Sequence, residues 1–304
     1  MSIYTLADAA AHGALRQEGT MSEHIPAARR TRTFVVAGAP EGPPNRPLVL
    51  VFHGSRQDGE GHRRFTGRAL DGLTDEGRAV IAYLDGYRGN WNDARAQSTF
   101  PARRHGIDDI AFAREVVRSL AATHGIDTSA VVGVGFSNGG QMILRLLHEA
   151  EGLLAGGVVV AATMPERENF LAGFSTSTAH PVPVTIVAGT SDPIVPFDGG
   201  RMPWWARKLF AIDGTTLSAT ATAEYFAQRN GITETPESHG AGPGSTPIET
   251  IRYRQEGRPP VTLHVVHGGG HTVPGPATGL RVGRTGEHPG IRDIVADMLS
   301  ALRV

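Results

Sequence analysis

The 304-residue chain contains no cysteine, which excludes disulfides and thiolate chemistry and suits a reducing compartment. No apolar run approaches the roughly 18 residues of a membrane-spanning helix. The first nineteen residues, MSIYTLADAAAHGALRQEG, are interrupted by Asp8, His12 and Arg16, so they lack the apolar centre of a secretory signal. With cysteine also absent, the expected location is the cytoplasm. An excess of charge is missing too: 29 basic residues offset 30 acidic ones, so no overall field gathers nucleic acid or an anionic membrane. What is plentiful is apolar content, at 40%, and glycine, at 39 residues. That is enough for a substantial core, and the length suits one domain over 1–304.

Short apolar runs closed by glycine alternate with amphipathic stretches. RPLVLVFHG (46–54), RAVIAYLDG (78–86), AVVGVGF (130–136), AGGVVVAA (155–162), VPVTIVAG (182–189) and VTLHVVHG (261–268) read as buried strands. Between AYLDG and AVVGVGF lies GIDDIAFAREVVRSLAATHG. Its Asp108 and Asp109 stand where a helix dipole favours anions, and Gly125 is placed to end it. Near the C-terminus, Ile291, Ile294, Val295, Met298 and Leu302 fall on one helical stripe. This alternation predicts an α/β fold with a mostly parallel central sheet covered by helices on both faces. Two stretches break it: residues 198–216, which carry Trp204, Trp205 and Phe210, and the Pro/Gly/Ser-rich 236–247, read as a loop. The first is expected to lie over a binding site or pack its aromatics onto the body.

VGVGFSNGGQ (132–141) carries the chemistry. As a dinucleotide loop it fails, because Asn138 stands where the third glycine of GxGxxG belongs, and no GK[ST] follows for a nucleotide triphosphate loop. What remains is GxSxG, Gly135 to Gly139, between a strand and a helix. This is the pattern that projects a serine hydroxyl from a strained turn. A hydroxyl needs a base, and the base an orienting carboxylate, in the chain order Ser, Asp, His. Asp192 follows the strand ending at Gly189, and His271 follows the last strand. Asp198, Asp213 and His267 compete for these roles, but they lie deeper in the insertion or on the strand itself. His264, His267 and His271 have no HExxH context and no nearby carboxylate, so a metal is not expected. Oxyanion donors are expected from the backbone amides of Asn138, which opens a helix, and Ser55, in the loop after VFHG.

Together LVLVFHGSRQDG, GNWND, IDDIAFAREVV, GIDTSAVVGVGFSNGGQM, GTSDPIVPF, YFAQRNGI and GGGHTVPG resemble the polyhydroxybutyrate depolymerase and feruloyl esterase-like branch of the α/β-hydrolases, over about residues 32 to 302. The resemblance implies a cofactor-independent serine esterase with Ser137, Asp192 and His271 as its triad and Trp91 near the acyl pocket. Trp204 and Trp205 are further candidates for the pocket wall, and core packing is the alternative for Trp91. The expected substrate is a soluble small-molecule ester: short-chain, hydroxyalkanoate or aromatic. Acyl transfer to another acceptor, cleavage of lactones or amides, and a non-catalytic binding module are the alternatives.

Overall fold

The computed structural model describes residues 2–7, 31–171, 180–210, 212–240, 246–275 and 282–302. Its strands are β1 (Ser2–Ala7), β2 (Thr31–Ala37), β3 (Arg46–Phe52), β4 (Val80–Leu84), β5 (Ile126–Phe136), β6 (Gly156–Val160), β7 (Val184–Gly189), β8 (Gly200–Arg201), β9 (Thr215–Thr216), β10 (Glu237–His239), β11 (Ile248–Tyr253) and β12 (Val261–Val266). Its helices are α1 (Gly59–Phe65), α2 (Asp71–Asp75), α3 (Pro101–Arg104), α4 (Asp109–His124), α5 (Asn138–Glu149), α6 (Trp204–Phe210), α7 (Ala219–Arg229) and α8 (Ile291–Ala301).

Ten strands form one sheet in the order β1-β2-β4-β3-β5-β6-β7-β12-β11-β10. The six from β4 to β12 run parallel, and antiparallel strands close both edges. Why the inner strands read as unbroken apolar runs is clear in β3. Leu48, Leu50 and Phe52 enter the core layer shared with α4, α5 and α7, while Val49 and Val51 enter the layer shared with α2 and α8. Both faces are dry, so the middle of the strand, Leu48 to Phe52, is apolar throughout, and the one polar residue, Arg46, stands at its start.

The crossover helices begin and end where their side chains dictate. Asp108 caps α4 by accepting a hydrogen bond from the Ala111 amide at 2.9 Å, and Gly125 ends it in the left-handed region, φ 56°. Asp109 does something other than complement the helix dipole. It is fully buried, ion-paired with Arg32 of β2 at 2.8 Å, and accepts from the Asn92 amide at 2.7 Å. The α8 stripe is as expected: Ile291, Ile294, Val295 and Met298 are buried against the sheet, and Leu302 packs beside them.

Six strands, β1, β2, β8, β9, β10 and β11, lie outside the expected alternation. The antiparallel strands β2 and β11, each next to an edge strand, carry arginine, threonine and glutamate among their apolar residues, so they lack the continuous runs of the inner strands. Part of the loop expected over 236–247 is the short edge strand β10. The insertion over 198–216 is itself ordered, with β8 paired to β9 and α6 between them.

Candidate active site

Ser137 occupies the single residue between β5 and α5, with φ 54° and ψ −114°. This backbone conformation is costly for a residue with a side chain, and it turns the hydroxyl out beyond the carboxyl end of the strand. The surrounding glycines are required by distance. A Cβ on Gly135 would lie 2.2 Å from the Gly139 carbonyl oxygen, and one on Gly139 would lie 2.0 Å from the carbonyl oxygen of Phe52. Their absence lets α5 descend onto β5 and β3.

His271 and Asp192 reach the same point from neighbouring strands. The loop after β7 and the loop after β12 are laced together: the Ser191 amide donates to the Gly269 carbonyl at 2.9 Å, and the Gly268 amide donates to the Thr190 hydroxyl at 2.8 Å. A side chain at Gly189 would collide with the Gly269 carbonyl, 2.3 Å from its Cβ. Asp192 Oδ1 accepts from the amides of Ile194 and Val195 at 2.8 and 2.9 Å, which leaves Oδ2 for His271 Nδ1 at 2.7 Å. With the Nδ1 proton donated to a carboxylate, Nε2 is the acceptor, and the Ser137 hydroxyl lies 2.9 Å from it. Asp192 and His271 are buried. His264 and His267 turn elsewhere, to Thr250 at 3.0 Å and Glu249 at 2.9 Å. No group of three or more metal-ligating side chains is assembled among the described residues.

The other rim of the site is built by the loop after β3. His53 is buried, donates from Nδ1 to the Gly54 carbonyl at 2.7 Å and accepts at Nε2 from the Gly86 amide at 2.8 Å. Burial pushes its pKa down, so the ring stays neutral and structural. Gln57 Oε1 accepts from the Gly54 amide and from His62 Nδ1, each at 3.1 Å. Ser55, held between these contacts, lines the pocket beside Ser137. Asn138 is buried at the first position of α5, where a backbone N–H has no intrahelical partner. Its side chain accepts from the Trp91 amide at 2.9 Å and donates to Asp93 Oδ2 at 2.6 Å.

Trp91 packs in the core, the alternative to the pocket wall, whereas Trp204 and Trp205 are not among the residues lining the pocket. Trp91 is fully buried, 4.9 Å from Phe52 and from His53 between ring centroids, and its indole N–H donates to the His53 carbonyl at 2.9 Å. An indole needs a partner for its N–H when buried, and here that requirement draws it beneath the loop instead of onto the pocket wall. Trp204 and Trp205 stand 71% and 39% exposed on the outer side of α6. The insertion reaches the pocket through Met202, Phe210 and Ile212 instead, opposite Phe100. The pocket volume is only about 20 Å³, room for one water. Residues 89–95 supply what was missed: Asp93, which holds Asn138, and Arg95, which lines the pocket. Their only sequence signal was the GNWND stretch.

Residues 89–206 match the family described as Phospholipase/Carboxylesterase. NocK of Nocardia uniformis subsp. tsuyamanensis, named as an esterase, is 32% identical over 302 residues, covering 92% of this chain and 82% of that protein. The chain belongs to the α/β-hydrolase esterases. This esterase is also 27% identical to feruloyl esterase B of Piromyces equi over 74% of its own length, but it spans only 39% of that protein. Among solved structures, acetyl xylan esterase from Aspergillus awamori superposes with a TM-score of 0.58 at 16% identity, covering 89% of this chain and 94% of that one, which shows the shared fold. The enzyme is a carboxylic ester hydrolase. No helix among the described residues is long and apolar enough to cross a membrane.

Proposed function

We propose that this esterase works by two-step acyl transfer through Ser137, His271 and Asp192. The observation that carries this reading is the continuous chain of contacts from hydroxyl to imidazole to carboxylate, 2.9 and 2.7 Å long. His271 Nε2 takes the hydroxyl proton as Ser137 Oγ bonds to the ester carbonyl carbon. The resulting oxyanion is met by the backbone amides of Ser55 and Asn138, each such donor worth about 3 kcal/mol. His271 then gives the proton to the leaving alcohol as the carbon–oxygen bond breaks, and water repeats the cycle on the acyl-enzyme. Asp192 keeps the imidazole in the tautomer that can accept at Nε2 and stabilises its charged form. No cofactor enters these steps.

The pocket's size supports a soluble small-molecule ester with a short acyl group, because a longer chain has to move the walls formed by Phe100, Phe210 and Ile212. The segment 198–216 acts in this reading as a lid within one domain.

The test is fluorophosphonate labelling together with turnover of ethyl butyrate by the parent protein and by Ser137→Ala. Labelling of the parent alone, with kcat lowered at least about 10⁴-fold in a variant whose circular dichroism is unchanged, is expected. Equal labelling or equal turnover rules out this nucleophile.

A further inference from the structure

Arg95 is the sole charged side chain among the described residues that line the pocket above Ser137, and no carboxylate shares that wall. Its guanidinium is held still. Nε lies 3.3 Å from Asp93 Oδ1, Nη2 pairs with Asp93 Oδ2, and the guanidinium carbon sits 5.7 Å from the centre of the Phe100 ring. Nη1 has no hydrogen-bond partner among the described residues.

Asp93 does not neutralise this region. It is fully buried and also accepts from the Asn138 carboxamide, and a second cation stands close by, Arg103, whose Nη2 donates to the backbone carbonyls of Asp93 and Arg95. With Arg145 and its partner Glu149 also beside Arg103, two carboxylates face three guanidinium groups. Burial pushes the Arg103 pKa down, while Asp93 and Glu149 pull it up against Arg145 and Arg95. A preorganised guanidinium edge with an unused N–H, on the wall of a small pocket, is a site for an oxygen anion.

We propose that Arg95 makes this esterase selective for esters whose acyl chain ends in a carboxylate, the monoesters of short dicarboxylic acids. The inference rests on the reading of Ser137 as nucleophile. The acyl carbonyl sits at Ser137, the chain parts the walls formed by Phe100, Phe210 and Ile212, which enclose room for one water, and the distal carboxylate meets Arg95. Asp93 is a positioning residue, fixing Arg95 on one side and Asn138 on the other.

Release of ethanol from ethyl hydrogen glutarate, ethyl 5-hydroxyvalerate and ethyl butyrate separates charge from mere polarity. The expected result is a kcat/KM at least about tenfold higher for the glutarate monoester than for either neutral ester, expressed mainly in KM and reduced by salt. In Arg95→Met the ratio of anionic to neutral kcat/KM falls at least about tenfold, and Arg95→Lys restores part of it. Should Arg95→Met fail to fold, product inhibition of the parent decides: glutarate is expected to inhibit at lower concentration than valerate. Equal kcat/KM for the three esters, a hydroxyvalerate ester as good as the glutarate one, an undiminished ratio in folded Arg95→Met, or equal inhibition by the two products overturns the proposal. Loss of turnover of all three esters together with loss of fluorophosphonate labelling instead defeats the serine esterase reading, and the inference with it.

Discussion

The two glycines around Ser137 are necessary for different reasons from those of glycines elsewhere in the chain, and this can be measured. Gly139→Ala puts a methyl group 2.0 Å from a backbone oxygen of β3, which no side-chain rotation relieves. Gly106 has φ +58° and open space around it, so Gly106→Ala incurs backbone strain only. Thermal denaturation is expected to show about 3 kcal/mol or more lost in the first and about 1 kcal/mol in the second. Comparable losses would mean that close approach at the elbow is not what selects glycine there. Asp192, the carboxylate of the proposed triad, allows a second test at this scale. Asp192→Asn keeps the shape but presents an amide to His271, favouring the tautomer with Nε2 protonated, so kcat is expected to fall about 10⁴-fold with little change in melting temperature. These residues were legible in the sequence because GxSxG, Asp192 and His271 each follow a strand. Trp204 and Trp205 were not, since α6 has only seven residues and too little periodicity to show which face meets the pocket.

Among the elements, α4 reaches the site through its first turn. Asp108 caps the helix in solvent, whereas Asp109 joins Arg32 of β2 to the Asn92 amide, one residue from Trp91 and the Asn138 contact. Removing the exposed cap in Asp108→Ala is expected to cost about 1 kcal/mol. Asp109→Ala leaves Arg32 buried and unpaired, and is expected to cost about 3 to 5 kcal/mol and to lower kcat as the Asn138 end loosens. Urea unfolding of both variants, with activity normalised to folded protein, checks this; equal destabilisation would show Asp109 to be an ordinary cap. In the sequence both residues look alike, adjacent aspartates ahead of an amphipathic run. Their difference lies in β2, which is 77 positions from Asp109 at Arg32. The inner strands were readable for the opposite reason: two dry faces leave a local signature of short, mostly apolar runs such as LVLVF, VIAYL and IVAG. A partly exposed strand such as β11 leaves none.

For the molecule as a whole, buried histidines set the acid limit. Burial lowers the pKa of His62 to about 3 and of His148 and His264 to about 4. In the unfolded chain each returns to an ordinary value near 6.5, so between that pH and about 4 the unfolded state binds more protons. Stability is therefore complete above about pH 6.5 and declines as the pH falls toward 4. Full titration of His148 alone is worth on the order of 3 kcal/mol. In His148→Gln, which can keep the contacts to the Leu144 carbonyl and the Tyr225 hydroxyl, the melting temperature is expected to depend less steeply on pH in that window. An unaltered slope would remove His148 from this account. One further consequence belongs to β12. It lies between β7 and β11, and the proposed base, His271, follows it, so Ser137 and Asp192 leave the ribosome well before it. At ordinary rates of synthesis that delay lasts several seconds. On the proposed mechanism a chain still short of His271 lacks its base, and hydrolysis waits for the strand laid down beside β7.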